Sequence, residues 1–482
     1  MSTATSVSPS DTSSLLDPDP ALHLARRATF GATAQLVAAI RGRGTTAWLE
    51  EQLEPASVSD AAVSTFLGRY MTLGYSEARL ASLTSASQRQ QAMTELIEAT
   101  LVRQIWSTRQ LFEVMVDFWS NHFNVLGLLS RELTAKPVED REVIRRHALG
   151  RFEDMLLADA NSAAMLLYLS NDSSRLDRPN ENYGRELLEL HTVGVGAGYT
   201  ETDVLNSAYV LTGRTCDANG LSYYRPEWHY VGPVRVLDWS SPNSSTAGGF
   251  AVGDSYLRYL ARHPSTAQAL SRKLAIRFVS DDPPASLVTK LAEVYLSSGT
   301  SIVACLRALF TSVEFADSVG QKTKRPLEDL VGCIRAMGIG LPLGNNKSAI
   351  SDLRLQSAYL DNLPFGCAPP SGYPDVAIGW RSIGGTLGRW NMHQSLVTGK
   401  PVGLNYPALG RLLDGPPMAT HGEVVDRLTT VLTGQVFRAD DRQALLTAVG
   451  MTEGEAYNQR KVDRSLITLI TLILDSGYLL LK

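Results

Sequence analysis

Cysteine is scarce in this chain of 482 residues: Cys216, Cys305, Cys333 and Cys367 are the four present. None belongs to a C-x-x-C pair, which excludes a zinc knuckle and a dithiol redox motif, and four scattered thiols make no disulfide framework. Free thiols in a reducing, cytoplasmic setting are therefore expected. An excess of charge of one sign is also lacking. The net charge is −4 and the sequence pI about 6.1, so a nucleic-acid partner is not expected. Long apolar runs are absent too. The most apolar stretch, Leu466 to Leu474, is followed by Asp475 and Gly477. A spanning helix takes about 20 apolar residues, so this stretch reads as a buried helix of a soluble protein without a membrane span. The opening residues MSTATSVSPSDTSSLLDPDP have neither the basic nor the apolar region of a signal peptide, and a loose tail is expected over residues 1–19.

Familiar catalytic signatures are missing. There is no G-x-x-x-x-G-K-S/T, since Gly399-Lys400 is followed by Pro401, and neither a G-x-S-x-G elbow nor an H-E-x-x-H. Gly194-Val195-Gly196-Ala197-Gly198 looks like a dinucleotide loop but follows a helical pattern rather than a strand. It reads as a helix stop and turn, where glycine tolerates positive φ.

What the chain has is apolar periodicity. With 44% apolar and 20% charged residues it can bury a large core. From Met93 to Phe118 apolar residues recur at steps of three and four. Similar patterns cover 139–158, 161–170, Ser265–Phe278, Pro284–Leu296, Ile302–Phe310 and Pro326–Met337. Thr200 and Asp203 have capping-box spacing, and Asp282-Pro283 looks like a helix start. The expected fold is all-α: a large multi-helix body. Residues 213–240, with Tyr223, Tyr224, Trp228, Tyr230 and Trp239 between glycines and prolines, suggest a small β-hairpin or irregular flap. Residues 240–249 read as a flexible connection, and Pro364 to Gly388 as an irregular stretch. The implied division is a lobe at 20–212, a flap at 213–256 and a second lobe at 257–482.

Two segments place acids, amides and a histidine among apolar residues: Asp117 to Asn124, and Asn180 to Gly194. Burying such groups is costly unless they pair, bind a metal or meet backbone. Histidine and carboxylate are ligands of iron, manganese, copper and zinc. The candidate metal ligands are His122, Glu186, Glu189 and His191; the candidate catalytic groups are His122, Glu186, His191 and His229; Asn182 and Arg185 are candidate cofactor-binding residues. Spacing tempers the metal reading. Asn182, Glu186 and Glu189 share one helix face, but on a regular helix His191 points about 140° away from Glu186. Three readings stay open: a buried polar network that locks helices, a transition-metal site, and metal-free acid–base catalysis. His229 sits in the flap and could cover a pocket. His147, His263, His393, His23 and His421 are weaker candidates.

These segments also carry a resemblance. Leu22-His23-Leu24-Ala25-Arg26-Arg27-Ala28-Thr29-Phe30-Gly31, Val116 to Val125, Asn180 to Gly194 followed by Gly198-Tyr199-Thr200-Glu201, and His263-Pro264 with Arg272-Lys273-Leu274 resemble the motifs of the domain-of-unknown-function 1800 family. The resemblance implies a helical fold and, because relatives are often encoded beside secreted sulfatase-like proteins, a partner of that kind. Relatives often carry His-Asp in the flap, where His229 is followed here by Tyr230. The functional expectation is a metal-dependent enzyme, an oxidoreductase acting on a small organic substrate in a site between helices. The alternative is a non-catalytic accessory or scaffold protein with a structural polar interior.

Overall fold

The computed structural model describes residues 15–128, 133–217, 219–344 and 346–482. The periodic segments form helices: Glu201–Leu211, Pro264–Phe278, Ala285–Ser297, Ile302–Phe310, Pro326–Ala336 and Gln459–Leu474. The capping box is present, with Thr200 Oγ1 accepting from Asp203 N and the Asp203 carboxylate accepting from Thr200 N. The long run from Met93 to Phe118 is broken into Ala86–Trp106 and Gln110–His122. The Asp60 carboxylate causes the break, accepting from Ser107 Oγ at 2.8 Å and Thr108 N at 3.0 Å. Strands are confined to two antiparallel ribbons, β1 (Arg214–Cys216) with β2 (Ser222–Tyr224) and β3 (Val234–Val236) with β4 (Trp239–Ser241). The architecture is thus an all-α body carrying small hairpins. Its flap is fixed to the body by β3 packing on Glu201–Leu211.

Four local expectations need correction. Residues 240–249 are not loose: Asn243 is buried, donates to Tyr230 O at 2.7 Å and accepts from His229 Nε2 at 2.8 Å. The stretch to Gly388 is irregular only as far as Ser382, whose side chain accepts from Gly385 N and starts the helix Ile383–Val397. The helix expected at Asp282-Pro283 begins two residues later, at Ala285. Most of the loose tail, residues 1–14, lies outside the described residues; within 15–19, Leu16 is buried and Asp19 caps the helix Pro20–Ala28.

Most buried apolar residues, from Leu16 to Leu479, form one contiguous cluster drawn from 20–212, the flap and 257–482 alike, and Met93, Leu96, Ile97, Leu133 and Phe365 form a second, smaller one. Close helix contact demands glycine at Gly184, where a Cβ would stand 2.9 Å from Ala208 N and Val204 O. Among the described residues, no helix is long and apolar enough to cross a membrane.

An ion network sits where the helices converge. Glu328 accepts from Arg277 Nη1 at 2.9 Å, Lys482 Nζ at 2.6 Å and Arg325 N at 2.8 Å. Arg277 also reaches Asp375 at 3.3 Å, and Arg325 pairs with Asp117. Burial opposes the Glu328 charge, but Arg277, Lys482 and Arg325 outweigh it and hold its carboxyl well below the ordinary range. Removing one partner strands buried charge, at a cost of about 3–5 kcal/mol. Glu328→Ala is therefore expected to lower the unfolding free energy by about 3–5 kcal/mol in urea titration. Thr200→Ala, which loses only a cap, should cost about 1 kcal/mol. Equal losses would show that the network is not the stronger constraint.

Candidate functional site

In the segment Asp117 to Asn124 the two asparagines bond one irregular loop, while Asp117 and His122 turn to other partners. Asp117 pairs with Arg325. Asn121 donates to Tyr373 O at 2.8 Å and accepts from Tyr373 N at 2.6 Å. Asn124 donates to Cys367 O at 3.0 Å and Pro369 O at 2.8 Å. Loop backbone without sheet or helix partners needs such groups. His122 points the other way. Its Nε2–H donates to His191 O at 3.2 Å, and its Nδ1 accepts from Lys273 Nζ at 3.0 Å. That pattern fixes the Nε2–H tautomer and leaves neither ring nitrogen a free lone pair.

His191 ends a π-helical turn, Leu187–His191, that follows the helix Glu181–Glu186. The wider turn carries His191 inward beside His122, their ring centroids 6.0 Å apart, among Trp119, Phe123 and Phe152. Lys273 also donates to Leu190 O at 2.9 Å. Burial, then the Lys273 charge, hold the His122 imidazole well below its usual range. Burial and Lys273 hold His191 down to about 3, and burial lowers Lys273 to about 8.

The carboxylates face elsewhere. Glu186 is half-buried and raised by burial and by Glu189; Glu189 lies 3.7 Å from Arg185. Among the described residues, no three of His122, Glu186, Glu189 and His191 bring ligand atoms within 4.8 Å of one another. The physical reason is the direction of the chain: the π turn aims His191 into the core while the glutamates stay on the outer face. Arg185 spans to Glu201 through two bonds, and Asn182 is exposed in the first turn, its N–H capped by Asn180 Oδ1. His229 is fully engaged inside the flap, with Nδ1 at 3.0 Å from Thr212 O and Nε2 on Asn243. It is buried there. Gly194 and Gly198 have φ of +82° and +80°, as a helix stop and turn requires.

Another cluster has the convergence these residues lack. Asp329 and Cys333 lie one turn apart on Pro326–Ala336, facing Arg389 and His393 on Ile383–Val397. Ligand atoms of Asp329, Cys333 and His393 fall within 4.8 Å of one another, and this is the one such trio among the described residues. His393 Nδ1 bonds Asp475 Oδ1 at 2.7 Å, and its Nε2 lies 3.3 Å from Asp329 Oδ2. Asp329 Oδ2, His393 Nε2 and Arg389 Nη1 are buried without hydrogen-bond partners. Burial works against the His393 imidazolium, yet Cys333, Asp329 and Asp475 outweigh it and hold its pKa well above the usual value. A cavity of about 310 Å³ opens beside these groups, walled by Trp380, Arg381, Trp390, Leu474 and Leu480 as well as by Asp329, Arg389 and His393. Asp329/Cys333 and Arg389/His393 are both i, i+4 pairs, so helix spacing carried the signal. The second pair stands just past the glycine-rich stretch that ends at Gly388, where the sequence carries no clear helical pattern.

The neutral His122/His191 pair has a pH consequence. Unfolded His191 takes up a proton near 6.5 and the folded residue only near 3, so its contribution to stability falls as pH drops across that window. His191→Gln should flatten the fall of unfolding free energy between those values, measured by urea titration at each pH. A slope matching wild type would mean that His191 is charged in the folded protein.

No curated protein and no solved structure matches the sequence. The family described as "Protein of unknown function (DUF1800)" matches residues 23–479, from the opening signature to the last helical turn. With nearly its whole length covered, the chain belongs to the domain-of-unknown-function 1800 family.

Proposed function

We propose that the chain is a metal-dependent enzyme acting on a small organic substrate, with its centre at Asp329, Cys333 and His393. The observation that carries this reading is the convergence of oxygen, sulfur and nitrogen donors within 4.8 Å beside a cavity of about 310 Å³. Ligating imidazoles commonly donate their other N–H to a carboxylate, and Asp475 holds His393 Nδ1 in that way; a metal would take the place of the proton that Nε2 carries beside Asp329. A thiolate in the set favours zinc, iron or copper over manganese. Asp329, Cys333 and His393 would hold the metal, which would supply activation of oxygen, water or substrate beside the cavity. Cys333 does not itself line the cavity, which weighs against a cysteine nucleophile and for metal-centred chemistry, with an oxidoreductase as the favoured class. The four free thiols fit a reducing, cytoplasmic location.

The accessory or scaffold reading draws on a different observation. Ile378, Ile383 and Leu387 are 75%, 83% and 50% exposed beside the cavity, a surface that a partner such as a sulfatase-like protein would cover.

Elemental analysis after separate loading with zinc, iron(II) and copper(I) tests the metal centre. One of these metals should be retained near stoichiometrically by wild type and by His122→Gln, and lost from Cys333→Ala. Asp475→Asn, which removes only the carboxylate behind His393, should weaken the metal Kd about 10- to 100-fold with little change in Tm. Failure of wild type to retain any of the three would remove the metalloenzyme reading.

A further inference from the structure

The cavity beside His393 has an uneven lining. Its polar wall carries guanidinium groups as well as the candidate ligands. Arg381 stands exposed at the cavity with no hydrogen bond or ion pair to any described residue. Arg389 is 92% buried in its side chain, donates through Nη2 to Lys324 O at 3.0 Å, and leaves Nη1 without a hydrogen bond, 3.5 Å from Asp329 Oδ2. A metal on Asp329 would compete for that oxygen and leave Nη1 to another anion. The rest of the lining is largely apolar, with Leu474, Leu480, Leu481, Trp380 and Trp390, beside the acid Asp475.

The apolar wall continues outside. Ile383, Leu387 and Trp390 follow one another at steps of four and three on Ile383–Val397 and are 83%, 50% and 46% exposed. That spacing puts them on one face. Trp390 belongs to both surfaces, lining the cavity and ending the stripe. A helix face of this kind normally packs inward. Here the helix buries Met392, Leu396 and Val397 together with Arg389 and His393, and the stripe of Ile383, Leu387 and Trp390 is left facing solvent.

We infer that this cavity takes an amphipathic carboxylate, its anionic end held by Arg381 and Arg389 and its apolar tail laid along Trp390, Leu387 and Ile383. A guanidinium matches a carboxylate with two parallel donors, which a neutral alcohol cannot use. An acyl tail removes the exposed stripe from water, which a short anion cannot do. The inference rests on this cavity being the functional site and extends that reading to its substrate class.

Isothermal titration of the full chain with octanoate, octanol and acetate tests it, with zinc content measured on the same samples. Octanoate is expected to bind at least about ten-fold more tightly than either control, one lacking the charge and the other the tail. Arg381→Gln, at an exposed position that makes no described contact, should bring octanoate down to the octanol level. Leu387→Ser should reduce the advantage of octanoate over acetate. Octanol binding as tightly as octanoate, or an unchanged preference in Arg381→Gln, would overturn the inference while leaving a retained metal standing. Loss of zinc with the preference for octanoate intact would instead count against the metal centre alone and support the carboxylate site.

Discussion

Glu328 is the residue on which most of the arrangement turns. Its two oxygens receive Arg277, Lys482 and the backbone of Arg325, which belong to segments far apart in the chain. Arg277 passes the tie to Asp375, and Arg325 passes it to Asp117. Helices Gln110–His122, Pro264–Phe278 and Pro326–Ala336 and the loop around Asp375 thus meet at one set of alternating charges. Buried ions of this kind are favourable only as a complete set, because each charge removed from water depends on the others. The network also shapes the cavity. Asp281 accepts from Ala377 N at 2.7 Å and pairs with Lys322 at 2.5 Å, and Lys322 donates to Asp375 O at 2.6 Å. The turn leading to Trp380 and Arg381 is fixed by those bonds.

The polar residues of the long motifs have a shared role, which is to satisfy backbone that no regular element satisfies. Arg27 donates to the terminal carbonyls of Pro264–Phe278, at Phe278 O and Val279 O. Asn121 and Asn124 hold the 367–373 loop. Asn180 holds Leu169 O and Ser170 O while capping its own helix. Lys273 and His122 close the carbonyls left at Leu190 and His191 where the π turn ends. An unpaired buried carbonyl is costly, so a body of many short helices needs many such side chains.

Much of the helical content was legible because it rests on local rules. Thr200 and Asp203 form their capping box, and Gly194 and Gly198 take the positive φ that their place after a helix suggests. The helix at Ile383 was not legible, since Gly384, Gly385 and Gly388 argue against helix while a single cap at Ser382 decides for it. The Arg389/His393 pair stands just past those glycines. In the long motifs, His122 and His191 were recognisable as buried polar residues, but their partner Lys273 comes from about eighty residues beyond His191.

The sequence by itself determined the class of the fold, the positions of many central helices, the place of the hairpins and the membership in the family, because periodicity, caps and turns act over a few residues. Tertiary structure decided which polar residues converge. The π turn sends His191 inward and leaves Glu186 and Glu189 outside, and the packing of two helices brings Asp329 and Cys333 to His393 across sixty residues of chain. Convergence depends on the relative rotation of elements that no local rule fixes.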